Sequence, residues 1–253
     1  MGPRPGDRRC RWPRIQIPGA EDEWTGELAY AVGLLATDGG LTGGKSVGLT
    51  SKDRCLIEVF KSCIGAQAPI GRNGSAYRVQ VTDVRFHRWL ESIGITPRKS
   101  LTLGALVVPS GLLVHAIRGL LDGDGSIYTG FTVPNRRRYP DHVYQRLNVR
   151  FHSASLKHIQ WLRVVVEKER GLQGWVTVQR KKSLGDRHAP MHVLRYSKHE
   201  SMRLLEWLYA NPMSPRLDRK WRKWIAFREA GKPTRTWHRR GAAQPATIPG
   251  TPE

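Results

Sequence analysis

Two short stretches of similar sequence decide the fold of this chain: GLLATDG at residues 33–39 and GLLDGDG at residues 119–125. Each stretch ends an apolar, proline-free run that is long enough to form a helix. Each run ends in an aspartate followed by a glycine, and glycine commonly follows the C-terminal end of a helix. A single copy would indicate only a helix and a turn. Two matched copies, separated by a long segment, indicate a duplicated chain.

Small residues recur along both runs at a spacing of four. They are Ala29, Gly33 and Thr37 in the first run and Gly119 and Gly123 in the second. Small residues at this spacing place little side-chain volume between two helices, so the helix axes can approach closely. We therefore expect the two helices to pack side by side and to bring their C-terminal ends together.

Asp38 and Asp124 would then project from adjacent helix ends. A carboxylate at a helix C-terminus faces the negative end of the helix dipole, and a second carboxylate nearby adds repulsion. A divalent cation relieves both costs, and Mg²⁺ commonly takes one or two carboxylates together with water and phosphate oxygens. Metal ions at a phosphodiester activate water and stabilise the leaving oxygen. We predict that both acids bind Mg²⁺, for which Mn²⁺ can substitute, and that they need no organic cofactor.

The chain is strongly basic, with 42 Lys and Arg against 21 Asp and Glu, a formal net charge of +21 over 253 residues. Folding does not require such a charge, and self-repulsion opposes it. A nucleic acid is the simplest partner, because Lys and Arg release counterions from its phosphates. A membrane surface is the alternative, but the sequence has no apolar stretch of about 18 residues. The charge therefore predicts a nucleic-acid partner and no membrane association.

The cysteines indicate a reducing environment. The chain has three cysteines, Cys10, Cys55 and Cys63. Because their number is odd and no C-x-x-C pair occurs, neither a disulfide framework nor a zinc site is predicted. The N-terminal segment lacks the apolar region of a signal peptide. Together these features predict a cytoplasmic protein.

The segments after the two runs follow one order and predict a duplicated α+β fold. Each half is expected to read α-β-β-α-β-β-α, which gives a body with pseudo-twofold symmetry. The predicted parts are a basic N-terminal arm (1–23), a first half (24–95), a linker (96–111), a second half (112–230) and a C-terminal tail (231–253).

The boundaries of the elements follow from turn signals and apolar periodicity. In the first half, strand pairs are predicted near 40–50 and 68–82, and helices near 51–62 and 83–93. In the second half, strands are predicted near 126–133, 142–152, 174–182 and 189–196, and helices near 155–170, 198–209 and 215–230.

The runs AVGLLATDG (31–39) and IRGLLDGDG (117–125) resemble the motif of the LAGLIDADG homing endonucleases in their two-motif, single-chain form. The resemblance covers about residues 25–230. It implies that the motif helices form the central interface, that two antiparallel sheets form a DNA-binding saddle, and that a monomer cuts a long double-stranded DNA site during intron homing. It also implies that Asp38 and Asp124 are the catalytic, metal-binding acids.

The second copy of the motif departs from the family pattern at Arg118, which replaces a small residue and needs a partner if it faces the other helix. The first copy has Ala36 at the sixth position, where the second has Asp122. The resemblance further implies a catalytic lysine at the end of the last strand of a half. Lys198, in HVLRYSKHE, matches that place, whereas the first half has Asp83 there. A solvated lysine at a helix start is the alternative for Lys198.

Basic and amide side chains on the predicted strands are candidates for DNA contact. Alternate residues of a strand point to opposite faces, and a face rich in Arg and Gln can read bases in the major groove. A solvated sheet face is the alternative. The residues predicted to bind DNA are Lys45, Arg72, Arg78, Gln80, Arg136, Arg138, Arg146, Arg150, Arg180, Lys182 and Arg195.

Two further groups of residues are assigned to phosphate contact. Lys157 and Ser153 follow the long second strand and could reach a phosphate, although helix capping by Ser153 or Ser155 is the alternative. The basic residues between Arg216 and Arg240 are expected to bind phosphates without sequence preference.

The principal alternative function is a non-catalytic DNA-binding transcription regulator, or an RNA-splicing maturase, built on the same scaffold. Both acids are present, which favours cutting. A basic RNA- or membrane-associated structural protein would leave the two matched Asp-Gly runs unexplained.

Overall fold

The computed structural model describes residues 24–132, 143–179 and 189–230. Its first half consists of α1 (Gly26–Asp38), β1 (Gly39–Thr42), β2 (Ser46–Ser51), α2 (Arg54–Cys63), β3 (Gly71–Asn73), β4 (Ala76–Thr82) and α3 (Val84–Ser92). Its second half consists of α4 (Leu113–Asp122), β5 (Ser126–Thr132), β6 (Tyr144–Ser153), α5 (Leu156–Arg170), β7 (Trp175–Gln179), β8 (Met191–Arg195) and α6 (Lys198–Leu208), and α7 (Asp218–Glu229) follows. The predicted α+β class and the repeated order of elements are confirmed.

Local signals in the sequence set several helix starts. Thr25 caps α1 by accepting a hydrogen bond from the backbone N–H of Leu28 at 3.1 Å, and Asp83 caps α3 by accepting from Arg85 and Phe86. Such caps satisfy N–H groups that have no partner within the helix. Asp83, which occupies the place that Lys198 has in the second half, is therefore a capping residue.

Each half contains one four-stranded antiparallel sheet, in the order β1-β2-β4-β3 and β5-β6-β8-β7. Residues that alternate along the strands face either the helices or the opposite side, which we call the open face. Leu49 pairs with Val79 on the helix side of the first sheet, while Gly48 pairs with Gln80 on its open face. In the second sheet, Phe151 pairs with Leu194 on the helix side.

The two motif helices α1 and α4 pack against each other with almost no side chain between them. A Cβ atom added to Gly33 would lie 2.9 Å from the Cα of Gly119, and one added to Gly119 would lie 3.0 Å from the Cα of Gly33. In the second motif, a Cβ at Gly123 would collide with Thr37. The predicted close packing of the motif helices, carried by small residues, is thus confirmed.

The segment between the halves is held against α5. Ser155 Oγ donates to the carbonyl of Leu103 at 2.5 Å, and His158 Nδ1 lies 2.8 Å from the carbonyl oxygen of Gly104. At the end of the described chain, Trp224 and Phe227 of α7 are buried. None of the helices in the described ranges is long and apolar enough to cross a membrane.

Some predicted features lie outside the described residues. These are the N-terminal arm (1–23), the C-terminal tail (231–253) and the distal parts of the two hairpins of the second half (133–142 and 180–188).

Candidate active site and nucleic-acid interface

The carboxylates of Asp38 and Asp124 lie together where the two motif helices end. Asp38 is the last residue of α1, and Asp124 follows the end of α4 by two residues. Burial, together with the charge of Asp124, raises the pKa of Asp38 to about 6. Partial burial also raises the pKa of Asp124. Both pKa values are raised because the close packing of the helices brings two acids of the same charge into one partly dehydrated place.

Two buried lysines, Lys99 and Lys220, flank the acids. Lys99 Nζ donates to the carbonyls of Thr37 and Gly39 at 3.1 and 2.6 Å, beside the end of α1. Their side chains place positive charge at the negative ends of the helix dipoles. Both lysines oppose the raised pKa values of Asp38 and Asp124.

Lys220 makes the denser set of contacts. Its Nζ lies 2.6 to 3.2 Å from the carbonyl oxygens of Leu121, Asp122, Gly123 and Gly125. These carbonyls surround the turn that carries Asp124. Burial lowers the pKa of Lys220 to about 8. The residue reaches this place because α7 packs against β5, which brings its first turn to the end of α4.

The donor set of this place fits a hard divalent cation. Burial and the charge of Asp124 keep the pKa of Asp38 raised although two lysines oppose the effect, and a bound cation would offset both costs. In the described part of the chain, no group of three or more His, Cys, Asp or Glu is assembled as a metal cage. Two carboxylates with no further protein ligand suit Mg²⁺ or Mn²⁺, which retain water and take phosphate oxygens, better than zinc.

Asp122 and Arg118, the two unusual residues of the second motif, are both buried in polar networks. Asp122 accepts hydrogen bonds from Tyr30 Oη at 2.9 Å, from the backbone N–H of Leu217 at 2.7 Å and from Tyr209 Oη at 3.4 Å. It thereby joins both motif helices to the N-terminal end of α7.

The partners of Arg118 belong mostly to the segment before α7. Its guanidinium donates to the carbonyls of Leu208 and Pro215 at 2.6 and 2.7 Å, and Nη2 lies 2.7 Å from His115 Nδ1. The guanidinium also lies 5.7 Å from the ring centre of Tyr30 in α1. Arg118 is therefore a structural residue that fixes the segment leading to Lys220.

His152 is a further residue at the site. It lies on β6, with Nε2 3.5 Å from Ser126 Oγ, and its charge acts on Asp124. Burial lowers its own pKa, so that the neutral imidazole is favoured. By register, Thr50 holds the corresponding place in the first half, which makes the surroundings of the two acids unequal.

Lys198 is not among the groups whose charges act on Asp38 and Asp124. Its side chain is exposed at the start of α6, with Nζ 5.6 Å from the ring centre of Phe227. The lysines that act on the two carboxylates are Lys99 and Lys220 instead. The resemblance assigned the lysine to a strand end, whereas the packing of the inter-half segment and of α7 delivers it from other elements. Catalysis by Lys198 stays a prediction.

The candidates at the start of α5 have mixed outcomes. Ser153 Oγ accepts from the backbone N–H of Ser155, and Ser155 Oγ accepts from that of His158, so both serines have the capping role. Lys157 is exposed, and its contact with phosphate stays a prediction.

Arginines line the open face of the second sheet. Arg150 pairs with Ser126 on one side and with Arg195 on the other, and Arg146 pairs with Gly130 further along β6. All three arginines therefore share one face. The predicted candidates Arg136, Arg138, Arg180 and Lys182 lie outside the described residues.

The first sheet presents fewer such side chains. Arg78 and Gln80 are exposed on its open face, where Arg78 Nη2 donates to Gln80 Oε1 at 2.7 Å, and Lys45 is exposed in the β1–β2 turn. Arg72 lies on the other side. Its pairing with Tyr77 places it on the helix side of the sheet, with the guanidinium 4.3 Å from the Tyr77 ring centre. The pairing of β3 with β4 thus places Arg72 on the face opposite to the one predicted.

Comparison with solved structures identifies the class of fold. No protein-family model and no curated protein matches the sequence. The meganuclease I-SmaMI bound to uncleavable DNA superposes with a TM-score of 0.54 at 10% identity, over 81% of this chain and 90% of that chain. I-DmoI in complex with DNA and Ca gives 0.52 at 13% identity, over 78% and 96%. The LAGLIDADG homing endonuclease I-LtrWI bound to target DNA gives 0.51 at 13% identity, over 81% and 89%. The chain thus has the fold of the LAGLIDADG homing endonucleases, as the motif resemblance predicts.

Sequence reasoning missed Lys99, Lys220 and His152. The sequence did contain a signal for the two lysines. The segments TPRK (96–99) and SPRLDRK (214–220) lie in similar places, after the last helix of each half. Both begin with Thr or Ser followed by Pro-Arg, and both end in the lysine. A search for repeats beyond the Asp-Gly runs would have paired them. His152 had no comparable signal, because the strand register alone places it beside Asp124.

Proposed function

We propose that this protein is a site-specific endonuclease that hydrolyses phosphodiester bonds of double-stranded DNA with divalent metal ions. One observation carries the proposal: two motif helices, packed glycine to glycine, hold the like-charged Asp38 and Asp124 together in a partly dehydrated place. A scaffold gains nothing in stability from such a pair, because repulsion and dehydration both oppose it. A metal-dependent reaction on an anionic substrate explains why the pair is there.

In this proposal, each group has a separate task. Asp38 and Asp124 would hold the metal, and Mg²⁺, when bound, supplies activation of water and stabilisation of the leaving oxygen. Lys99 and Lys220 fix the turns that carry the acids and keep the carboxylates ionised. His152 is placed to contact the DNA strand or a water next to Asp124.

DNA would lie across the open faces of the two sheets. The arginines of the second sheet and Arg78, Gln80 and Lys45 of the first provide phosphate and base contacts. The two halves supply both acids within one chain, so we expect a monomer to bind one DNA site. The solved I-DmoI, I-SmaMI and I-LtrWI structures are complexes with DNA, which supports this placement.

We further infer an intracellular, reducing setting, with intron homing as the biological role. Cys55 and Cys63 are free thiols, and the proposed substrate is genomic DNA. The resemblance in motif and fold supports the role in homing.

The deciding experiment compares Asp38→Asn and Asp124→Asn with the wild type and with Asp218→Asn, a control at an exposed acid of α7. The substrate is a DNA site obtained by cleavage selection from a randomised library in Mg²⁺. Each Asn keeps the shape of the side chain and removes a metal-binding charge. We expect each to slow double-strand cleavage by on the order of 100-fold or more, because several kcal/mol of transition-state stabilisation are lost.

DNA binding in Ca²⁺ should survive in both variants, and the control should cut normally. Cleavage by both Asn variants at the wild-type rate would overturn the proposal. A wild-type protein that binds DNA tightly but cuts no member of the library would favour the transcription regulator or the maturase.

A further inference from the structure

The open face of the second sheet contains a pair of like charges at its centre. Arg150 of β6 and Arg195 of β8 are direct cross-strand partners. Like charges in directly opposite positions destabilise a sheet. Consistent with this, burial and the charge of Arg195 both lower the pKa of Arg150. The free protein therefore carries a cost at this pair that a ligand would relieve.

No acid among the described residues compensates the pair. The ion pairs of this part of the chain involve other residues, and Arg150 Nε is a buried donor without a hydrogen-bond partner. Buried donors of a charged group are rarely left unsatisfied in a functional state. Since no described acid pairs with the guanidinium of Arg150, acceptor atoms of a ligand on the open face would meet no competing partner there.

An aromatic ring lies beside the guanidinium of Arg150, and an aromatic residue pairs with Arg195 across the strands. Arg150 lies 5.9 Å from the ring centre of Tyr128, and exposed Trp175 is the cross-strand partner of Arg195 on β7. A guanidinium held against a ring presents its edge, with two parallel donors, away from the ring. An edge with two acceptors is its natural counterpart, and guanine O6 and N7 provide one in the major groove.

We propose that Arg150 and Arg195 read guanine on the half-site bound by the second half of the protein. The contact lies close to the cut. Arg150 is two strand residues from His152, about 6.6 Å, which corresponds to about two base-pair steps along the duplex. This inference rests on the proposed function, since it requires DNA on the open face.

The first half has no such pair. By register from the two Asp-Gly turns, Gly48 corresponds to Arg150 and Gln80 corresponds to Arg195. Glycine offers no side chain, and glutamine matches adenine rather than guanine. The guanine preference is therefore specific to one half-site and gives the protein a direction on its target.

The test measures binding in Ca²⁺ to a panel of duplexes, each with one base pair of the selected site changed. Wild type is compared with Arg150→Gln, Arg195→Gln and Arg146→Gln. The last is a matched control that removes the same charge from the same face, further from the acids. We expect Arg150→Gln and Arg195→Gln to lose discrimination for guanine at one or two adjacent positions near the cut, by on the order of 10-fold. Arg146→Gln should leave those positions unchanged.

A phosphate contact would give a different result. The two variants would then lose affinity equally for every duplex, with a salt slope smaller by about one, and the inference would be overturned. Thermal unfolding provides a check on folding: relief of the charge pair should leave Arg195→Gln at least as stable as wild type. If the wild-type protein binds no duplex at all, the proposed function fails; if it binds without guanine preference near the cut, only this inference fails.

Discussion

Gly33 and Gly119 face each other across the two motif helices, and neither position has room for a Cβ atom. A methyl group at Gly33 would lie 2.9 Å from the Cα of Gly119, and it would collide with the carbonyl oxygen of Ala116. This contact sets the distance between α1 and α4. It therefore also sets the distance between the acids that end them.

Gly33→Ala should destabilise the protein, although alanine favours helix in general. We expect a loss of about 1–3 kcal/mol in the free energy of unfolding, because the new methyl group forces the helices apart. Urea unfolding measures the effect. Gly111→Ala is the control, since a Cβ there meets no atom within 4 Å. Equal stability of the two variants would show that the helices separate without cost.

Lys220→Met should damage the fold and the site together. The change leaves the carbonyls of Leu121, Asp122 and Gly125 without their shared donor, at a cost on the order of 3 kcal/mol. It also removes a charge that lowers the pKa of Asp38, so metal binding should need a higher pH. Thermal unfolding and Mn²⁺ titration test both effects, with the exposed Lys223→Met as control. Unaltered Mn²⁺ affinity in a folded Lys220→Met protein would contradict the proposed effect of Lys220 on the metal site.

His158 should make folding stability depend on pH. Burial lowers its pKa below the ordinary value of 6.5, so the unfolded chain binds the proton more readily than the folded protein does. Its contribution is present above pH 6.5 and is lost as pH falls through the folded pKa. Unfolding of wild type and His158→Gln should be compared at pH 7.5 and 5.5.

The loss of stability on acidification should be smaller in His158→Gln than in wild type. His199→Gln, at an exposed position, should retain the full loss. The same pH dependence in all three proteins would assign the effect to other groups.

The reaction should depend on the choice of metal and on salt. Mg²⁺ and Mn²⁺ should support cutting, whereas Ca²⁺ should support binding with little cutting, because it coordinates more loosely. Elemental analysis should find no stoichiometric zinc. Affinity should fall by orders of magnitude over a few-fold rise in salt, as six to ten phosphate contacts imply. A tightly bound zinc ion or a shallow salt slope would contradict these expectations.

Discrimination should be stronger on the half-site bound by the second half. Its opening strands, β5 and β6, have seven and ten residues, against four and six in β1 and β2. The first hairpin also includes Gly39, Gly40, Gly43, Gly44 and Gly48, which offer no side chains for readout. Each well-read base pair should cost about 1–3 kcal/mol when changed. Base-by-base profiling of the target measures the discrimination at each position. Equal discrimination on the two half-sites would refute the argument from strand length.

The sequence by itself determined the repeated architecture and the pair of acids at the ends of the motif helices. The Asp-Gly runs and the small residues at Ala29, Gly33 and Thr37 are local signals, and each predicts a structure within a few residues of itself. The positions of Asp38 and Asp124 followed from them, because two packed helices leave little freedom for their last residues.

Only the tertiary structure decided which charges surround that pair. Lys99 and Lys220 reach it from segments far along the chain, and Lys198, which the motif resemblance favoured, lies over Phe227 instead. Likewise, the register of β3 on β4 places Arg72 on the helix side of the first sheet. The register of β6 on β8 makes Arg150 and Arg195 direct cross-strand partners. Long-range packing and strand pairing fix these contacts. Neither is determined by the residues adjacent in the chain, which are all that local patterns in a sequence describe.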